Sequence, residues 1–533
     1  MNCLTHTMAG LMAACITALS FAARPLMQTS AANVPILIGY LGDINHDMKI
    51  DRTDVLLLKS YLLGYSTEIC EDESSHLMNP DLDDSKSLNA IDLTLLKRIA
   101  LHIASPIPIY DDSLNNDALI PPPISAVNPT MPCVGEAHVL MIAVSFPDAQ
   151  HVLSADELQK QCFGPEDQQS PYYPQESISA FYSRASYGRL NLTGKVYSYT
   201  AQYEIDAYMQ TDPRKVDYRT RDDLLDEVLE ALDSVVDYKD YDLDGNGILD
   251  SVVIVLPKEA KGRDANEDGT EDWVPCSGYY YGSAKHDGVT PAKMCIGARD
   301  PINQADFNGT WIHELGHAMG LPDYYQHLNA NNQNDYQGLT GSTGWEMMDD
   351  ADGDFSSFSK LMYGWFKGNE VQIYTGGTQT YELKSMQDTP NCVLIPRGGF
   401  NGFYSEYFLV EFNTPTGNYT GGFAVNNRHI LFQHGGVRVM HCNAELAEGR
   451  SGTELKWRLN GKNYDISNKK QRVLRVINYN NAYFKDGMVI TNETKGFAWY
   501  DENGDRTVDP GITITVSDFD ENTGCKITIA PVS

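Results

Sequence analysis

Basic residues are scarce. Forty Lys and Arg face 72 Asp and Glu in 533 residues, a formal net charge of −32 at pH 7. Such a chain repels nucleic acid and anionic membrane, so neither is an expected partner. Cys-x-x-Cys is missing among the ten cysteines, which argues against a cysteine-held zinc. Long apolar runs are missing beyond the N-terminal region, so no later stretch is expected to span a bilayer. A pair of carboxylates in a recognisable glycosidase setting is also missing. What remains is an ordinary soluble composition, 42% hydrophobic and 21% charged, with room for two to four domains.

The N-terminus has an apolar run from Met8 to Ala23, with small residues at Ser30-Ala31-Ala32. This reads as a secretory signal over residues 1–32, although only His6 precedes the run where Lys or Arg is usual. Met12-Ala13-Ala14-Cys15 is a poor lipobox. Loss of that segment leaves Cys70, Cys133, Cys162, Cys276, Cys295, Cys392, Cys442 and Cys525. These are open to disulfide pairing or to service as buried thiols.

The strongest chemical signal is Trp311-Ile312-His313-Glu314-Leu315-Gly316-His317-Ala318-Met319-Gly320-Leu321-Pro322-Asp323. On a helix, His313 and His317 lie one turn apart on the same face, where two imidazoles share a zinc ion. Glu314 adjoins the first ligand and is placed to reach a water rather than the metal. Gly320 and Pro322 stop the helix. Asp323 then returns as the third ligand, with Glu346 as the competing choice.

Two related segments precede this. In the first, Asp43, Asn45, Asp47, Asp51 and Asp54 occupy positions 1, 3, 5, 9 and 12 of a calcium loop, and Lys49 offers its carbonyl at position 7. In the second, Asp81, Asp83, Ser85, Asn89 and Asp92 repeat the pattern, with Ser87 at position 7. An amphipathic helix is expected after each, at Val55–Leu63 and Leu93–Ile99. Position 6 lacks glycine (Met48, Lys86), and no helix precedes the first loop, so these are not full EF-hands. Residues 104–132 follow with seven prolines, and read as a semi-stiff tether.

From Cys133 the texture becomes globular. Strands are expected at 137–146, 190–199 and 251–256, and helices at 177–188 and 221–236. The turn Asp242, Asp244, Asn246, Asp250, with a carbonyl from Ile248, has the spacing of a further calcium site. A turn held by Asx hydrogen bonds competes with that reading. Past the zinc helix, Trp345-Glu346-Met347-Met348 places Met348 as the methionine of a turn beneath the histidines. From about Thr378 onward the pattern is mainly β.

Two resemblances follow from these residues. The duplicated loop and helix over residues 38–103 resembles a type I dockerin, which implies two calcium ions and a cohesin domain of a scaffoldin as partner. Arg52, Thr53, Ala90 and Ile91, just before position 12 of each loop, would help choose the cohesin. Because the two halves differ, interchangeable docking by either half is not implied. Residues 133–530 are similar to secreted metallopeptidases of the immune inhibitor A family, on Ser177–Gly188, Asp242–Asp250, His313–Tyr324, Trp345–Met348 and Glu406–Glu411. That resemblance implies a metzincin-like zinc endopeptidase hydrolysing protein or peptide substrates, with His313, His317 and Asp323 as ligands and Glu314 as base. Tyr324, Tyr325 and His441 are candidates to assist the oxyanion, and Cys133 is a candidate thiolate block on the zinc.

The expected organisation is multidomain. A small all-α calcium-loop module (38–103) and a linker (104–132) precede an α+β metzincin-like zinc peptidase domain (133–375) with a β-rich C-terminal portion (376–533). The expected protein is secreted and cellulosome-associated. The competing readings are a catalytically inactive metzincin-fold binding module and a dockerin-borne carbohydrate-active protein.

Overall fold

The computed structural model describes residues 36–44, 50–66, 80, 82, 88–101, 108–111, 130–209, 219–264, 273–324, 346–350, 353–367, 370–400, 402–420, 434–449, 452–455, 473–478 and 483–532. The expected signal, Cys70, most of the linker, Tyr325, Asn45, Asp47, Lys49, Asp81, Asp83, Ser85 and Ser87 lie outside the described residues.

The N-terminal module contains β1 (Ile36–Tyr40), α1 (Arg52–Leu62), α2 (Ala90–Ala100) and β2 (Pro108–Asp111). Each helix starts where a loop side chain caps it. Asp51 accepts from Thr53 N–H and Asn89 from Ile91 N–H, closing capping boxes with Asp54 and Asp92. Arg52, Thr53, Ala90 and Ile91 are therefore the first helical residues, not loop residues. Leu58, Leu95, Leu96 and Ile99 meet Leu41, Ile44, Ile50 and Leu82 in a small core. β1 and β2 pair antiparallel, so part of the expected tether is a strand closing the module's two ends. Pro108 is tolerated because it is that strand's first residue.

The next region runs β3 (Gly135–Ser145), α3 (Ala155–Phe163), α4 (Ile178–Ala185), β4 (Leu190–Thr200), α5 (Arg221–Leu232), β5 (Val252–Leu256), β6 (Cys276–Tyr279), β7 (Lys293–Ala298), α6 (Gln304–Ala318), α7 (Met347–Asp350) and α8 (Ser357–Met362). The strands form one sheet in the order β4-β3-β5-β7-β6, parallel except for β6. Alternation sorts the two faces. Val139, Met141, Val253 and Val255 share a core with α4 and α6, while Leu140, Ile142, Val252 and Ile254 pack on α5. Parallel pairing buries both faces, which explains the unbroken apolar run of β3.

The C-terminal part holds β8 (Val371–Ile373), β9 (Gln379–Lys384), β10 (Cys392–Pro396), β11 (Glu406–Asn413), β12 (Gly436–Asn443), β13 (Leu446–Gly449), β14 (Gly452–Leu455), β15 (Leu474–Val476), β16 (Val489–Ile490), β17 (Trp499–Tyr500), β18 (Arg506–Val508), β19 (Ile512–Asp520) and β20 (Gly524–Pro531). A sheet in the order β15-β12-β11-β10-β8 stands against a second, β16-β19-β20-β9. Tyr407, Leu409, Met440 and Cys442 on one face join the core of α6, whereas Phe408, Val410 and Val439 on the other join β19 and β20. One core thus runs from α6 into the C-terminal sheet. Between the sheet and α8, buried Glu411 accepts from Arg438 Nε (2.7 Å), Asn413 Nδ2 (2.8 Å) and Ser357 N–H (2.8 Å).

Seven cysteines are described, and all are free: Cys133, Cys162, Cys276, Cys295, Cys392, Cys442 and Cys525. Among the described residues no helix is long and apolar enough to cross a membrane.

Candidate metal centres

α6 is built to be buried. Phe307, Trp311, Ile312 and Leu315 are fully covered. Tyr182 Oη donates to the Ile312 carbonyl (2.6 Å) and Tyr363 Oη to that of Gly316 (2.9 Å). The helix ends as its sequence dictates. Gly320 takes φ +105°, its N–H bonds the His317 carbonyl (3.0 Å), and Leu321 N–H bonds that of Gly316 (3.2 Å). This paired closure turns the chain back at once. Asp323 therefore returns to the histidine face.

There His313 Nε2 lies 3.0 Å and His317 Nε2 3.1 Å from Asp323 Oδ1. The three ligand atoms fall within 4.8 Å of one another, close enough to hold one metal ion. Each ring is oriented from behind by a carbonyl. His313 Nδ1 donates to Met347 O (2.7 Å) and His317 Nδ1 to Leu321 O (2.7 Å), which leaves both Nε2 lone pairs for the ligand side. Burial disfavours the charged form of His313. The Asp323 hydrogen bond, the charges of Glu314 and Asp323 and the Met347 carbonyl together outweigh it, and the ring is raised to about 9. Glu314 is buried, and its Oε2 has no hydrogen-bond partner. Burial raises its pKa, with both histidines pulling the other way. A buried carboxylate oxygen without a partner beside three converging ligands fits a group outside the polypeptide.

Glu346 is occupied elsewhere. It accepts from Met348 N–H (2.5 Å), Ser356 N–H (3.1 Å) and Ser359 Oγ. Burial, set against those bonds, raises it to about 7. It ties the turn bearing Met348 to α8. Met348 is fully buried beneath α6, and a β-carbon on Gly316 would collide with its Sδ.

Three expected helpers stand apart from this centre. His441 sits in β12 on the sheet face away from α6, because side chains alternate along a strand. It stacks on Tyr500 (4.5 Å between centroids) and bonds Glu406 Oε1 (2.7 Å), and burial lowers it to about 4. Tyr324 is buried, with its hydroxyl on Ser359 Oγ (2.9 Å). Cys133 donates its thiol to the Met319 carbonyl (3.4 Å), and burial raises it to about 12.

The acidic turn forms a second cluster. Carboxylate oxygens of Asp242, Asp244 and Asp250 also lie within 4.8 Å of one another. Gly245 (φ +69°) and Gly247 (φ +82°) provide the left-handed backbone that the tight turn needs. Asn246 Oδ1 accepts from Ile248 N–H (2.7 Å) and Asp244 Oδ1 from Asn246 N–H (3.1 Å), so the Asx bonds are present. They do not exhaust the turn. Asp242 Oδ1 and Asp250 Oδ1 are buried without partners, and burial with the neighbouring carboxylates raises Asp250 to about 8 and Asp244 to about 6. Val253, at loop position 12, is buried in β5.

The N-terminal module repeats one arrangement twice. Asp54 accepts from Ile44 N–H (2.8 Å) and Asp51 N–H (2.9 Å), and Asp92 accepts from Leu82 N–H (2.8 Å) and Asn89 N–H (2.8 Å). Asp43, Asp54 and Asp92 are fully buried. Sequence reasoning missed the Glu346 and Glu411 bonds. Its one signal was a glutamate inside the apolar strand Tyr407–Phe412.

No curated protein matches the chain. Residues 41–101 match the family model of the type I dockerin domain. The chain therefore carries a type I dockerin, a calcium-binding module that attaches to cohesins of cellulosome-type scaffolds.

Proposed function

We propose that the protein is an extracellular zinc-dependent endopeptidase that its dockerin attaches to a cohesin-bearing scaffold. The observation carrying this reading is the convergence of His313, His317 and Asp323 beside buried Glu314 with its unpartnered oxygen. The turn of Met348 beneath the histidines and the resemblance to immune inhibitor A peptidases support the same metzincin-like assignment. His313, His317 and Asp323 would hold the zinc. When bound, that ion supplies a Lewis acid for the scissile carbonyl and lowers the pKa of a water to about 7.

The chain's own residues do the rest. Glu314, raised by burial, takes a proton from the attacking water and returns it to the leaving amine. The Met347 and Leu321 carbonyls fix both imidazoles in one tautomer and orientation. Glu346 ties the Met348 turn to α8. Asp242, Asp244 and Asp250, with Asn246 and the Ile248 carbonyl, would hold a third calcium just before β5, in addition to the two of the dockerin.

Casein digestion by the full chain tests the reading. Cleavage should stop in a zinc-selective chelator and return with zinc. Absence of cleavage in the zinc-loaded protein would leave a binding module, and cleavage insensitive to the chelator would remove the metal from the mechanism.

A further inference from the structure

The two repeats of the dockerin are alike in sequence and unlike in the exposure of the middle of each helix. Aligning Asp54 with Asp92 pairs Leu57 with Leu95, Ser60 with Arg98 and Tyr61 with Ile99. Leu57 is 39% exposed and Leu95 is 1%. Ser60 and Tyr61 are half-buried, whereas Arg98 and Ile99 are buried. On α1, Leu56 is also 50% exposed and Thr53 is exposed, whereas their twins Thr94 and Ile91 are half-buried; Arg52 and Ala90, and the caps Leu63 and Leu101, are exposed in both repeats.

The chain itself supplies a cover for α2. The hairpin of β13 and β14 pairs Leu446 with Leu455, and α2 packs beside β14. Leu446 touches both the module's core and the core shared by α6 and the C-terminal sheet. A β-hairpin thus lies against α2, with Leu446 packed on the module's core. On α1, Thr53, Leu56, Leu57 and Ser60 fall at helical spacing on one face, and Leu56 and Leu57 remain open.

We propose that the β13–β14 hairpin is a built-in cap on the second repeat, so that the intact chain docks its cohesin through the first repeat alone. The α1 face has an apolar centre, Leu56 and Leu57, rimmed by Arg52, Thr53 and Ser60. Such a face suits a β-sheet surface with an apolar centre, as its twin already accepts a β-hairpin. This rests on the cohesin-attachment reading for the partner, but not for the cap.

Two measurements on the full chain with calcium test it. Titration with type I cohesins should show Thr53→Arg with Leu57→Asp weakening binding at least 100-fold, and Ala90→Arg with Thr94→Asp changing it less than threefold. Equal losses, or a larger loss from the second pair, would overturn the proposal. Hydrogen exchange should show Leu446→Asp, and more mildly Leu446→Ala, speeding exchange at Leu95–Ile99 while α1 is unchanged. Unchanged α2 exchange in both variants would also overturn it. If no cohesin binds the parent, the attachment reading fails while exchange still decides the cap.

Discussion

The dockerin and the histidine helix both gather metal-ligating side chains, but the surrounding chain supports them differently. In the dockerin, two short helices meet over a small apolar core, and Asp43, Asp54 and Asp92 are buried in the same volume. Calcium binding by a dockerin this small contributes directly to its folding. On α6, His313, Glu314 and His317 rest on a core running from β3 through α4 and α8 into the C-terminal sheet. That core stands by its own apolar area. Calcium is part of the dockerin's fold, whereas the metal proposed at His313, His317 and Asp323 would bind to a fold that is already complete.

Chelation should split the two regions, with the largest effect of all. In excess EDTA, amide protection in α1 and α2 should fall to that of unfolded chain, while α6, β3 and β11 keep theirs. Hydrogen exchange resolved by segment reads both at once. Protection of α1 and α2 that survives EDTA would remove the distinction.

Glu411 sharpens the comparison from the other side. Burial alone would raise its pKa, but Arg438 and bonds from Ser357 and Asn413 hold it below the usual carboxylate range. Glu411→Ala leaves Arg438 buried without its carboxylate, at a cost of about 3–5 kcal/mol. Denaturant unfolding should show that loss in the region of α6 and the C-terminal sheet alone, with calcium-dependent folding of the dockerin unchanged. A loss below about 1 kcal/mol would mean that the pair is not desolvated as the structure has it.

Gly316→Ala is expected to be milder. Its β-carbon meets Met348 Sδ, and overpacking of this kind costs about 1–3 kcal/mol. The helix should shift over the methionine turn, and zinc content should fall with stability. Full zinc content with unchanged stability would mean that Met348 yields freely and does not support the histidines.

Much of this was legible in residues close together in sequence. His313, His317 and Asp323 converge because a helical turn and a glycine stop are local events. Asp51 and Asn89 likewise declare the helix starts, although they place Arg52 and Ala90 inside the helices. What escaped the sequence depends on distant partners. Glu346 and Asp323 are both acidic residues near the histidines, and only bonds from Ser356 and Ser359 show that Glu346 is committed elsewhere. His441 lies on the far face of its sheet, and strand register, not residue type, decides that. Pro108–Asp111 reads as tether until β1 is seen beside it.

The central claim is that Glu314 acts on a water at a metal held by its neighbours. The most direct measurement compares the parent with Glu314→Gln, by elemental zinc analysis and casein cleavage on the same samples. Both proteins should hold one zinc per chain, and the variant should lose cleavage by about 10³-fold or more, since the water keeps its site and loses its base. A variant that holds zinc and cleaves casein at the parent's rate would contradict the account.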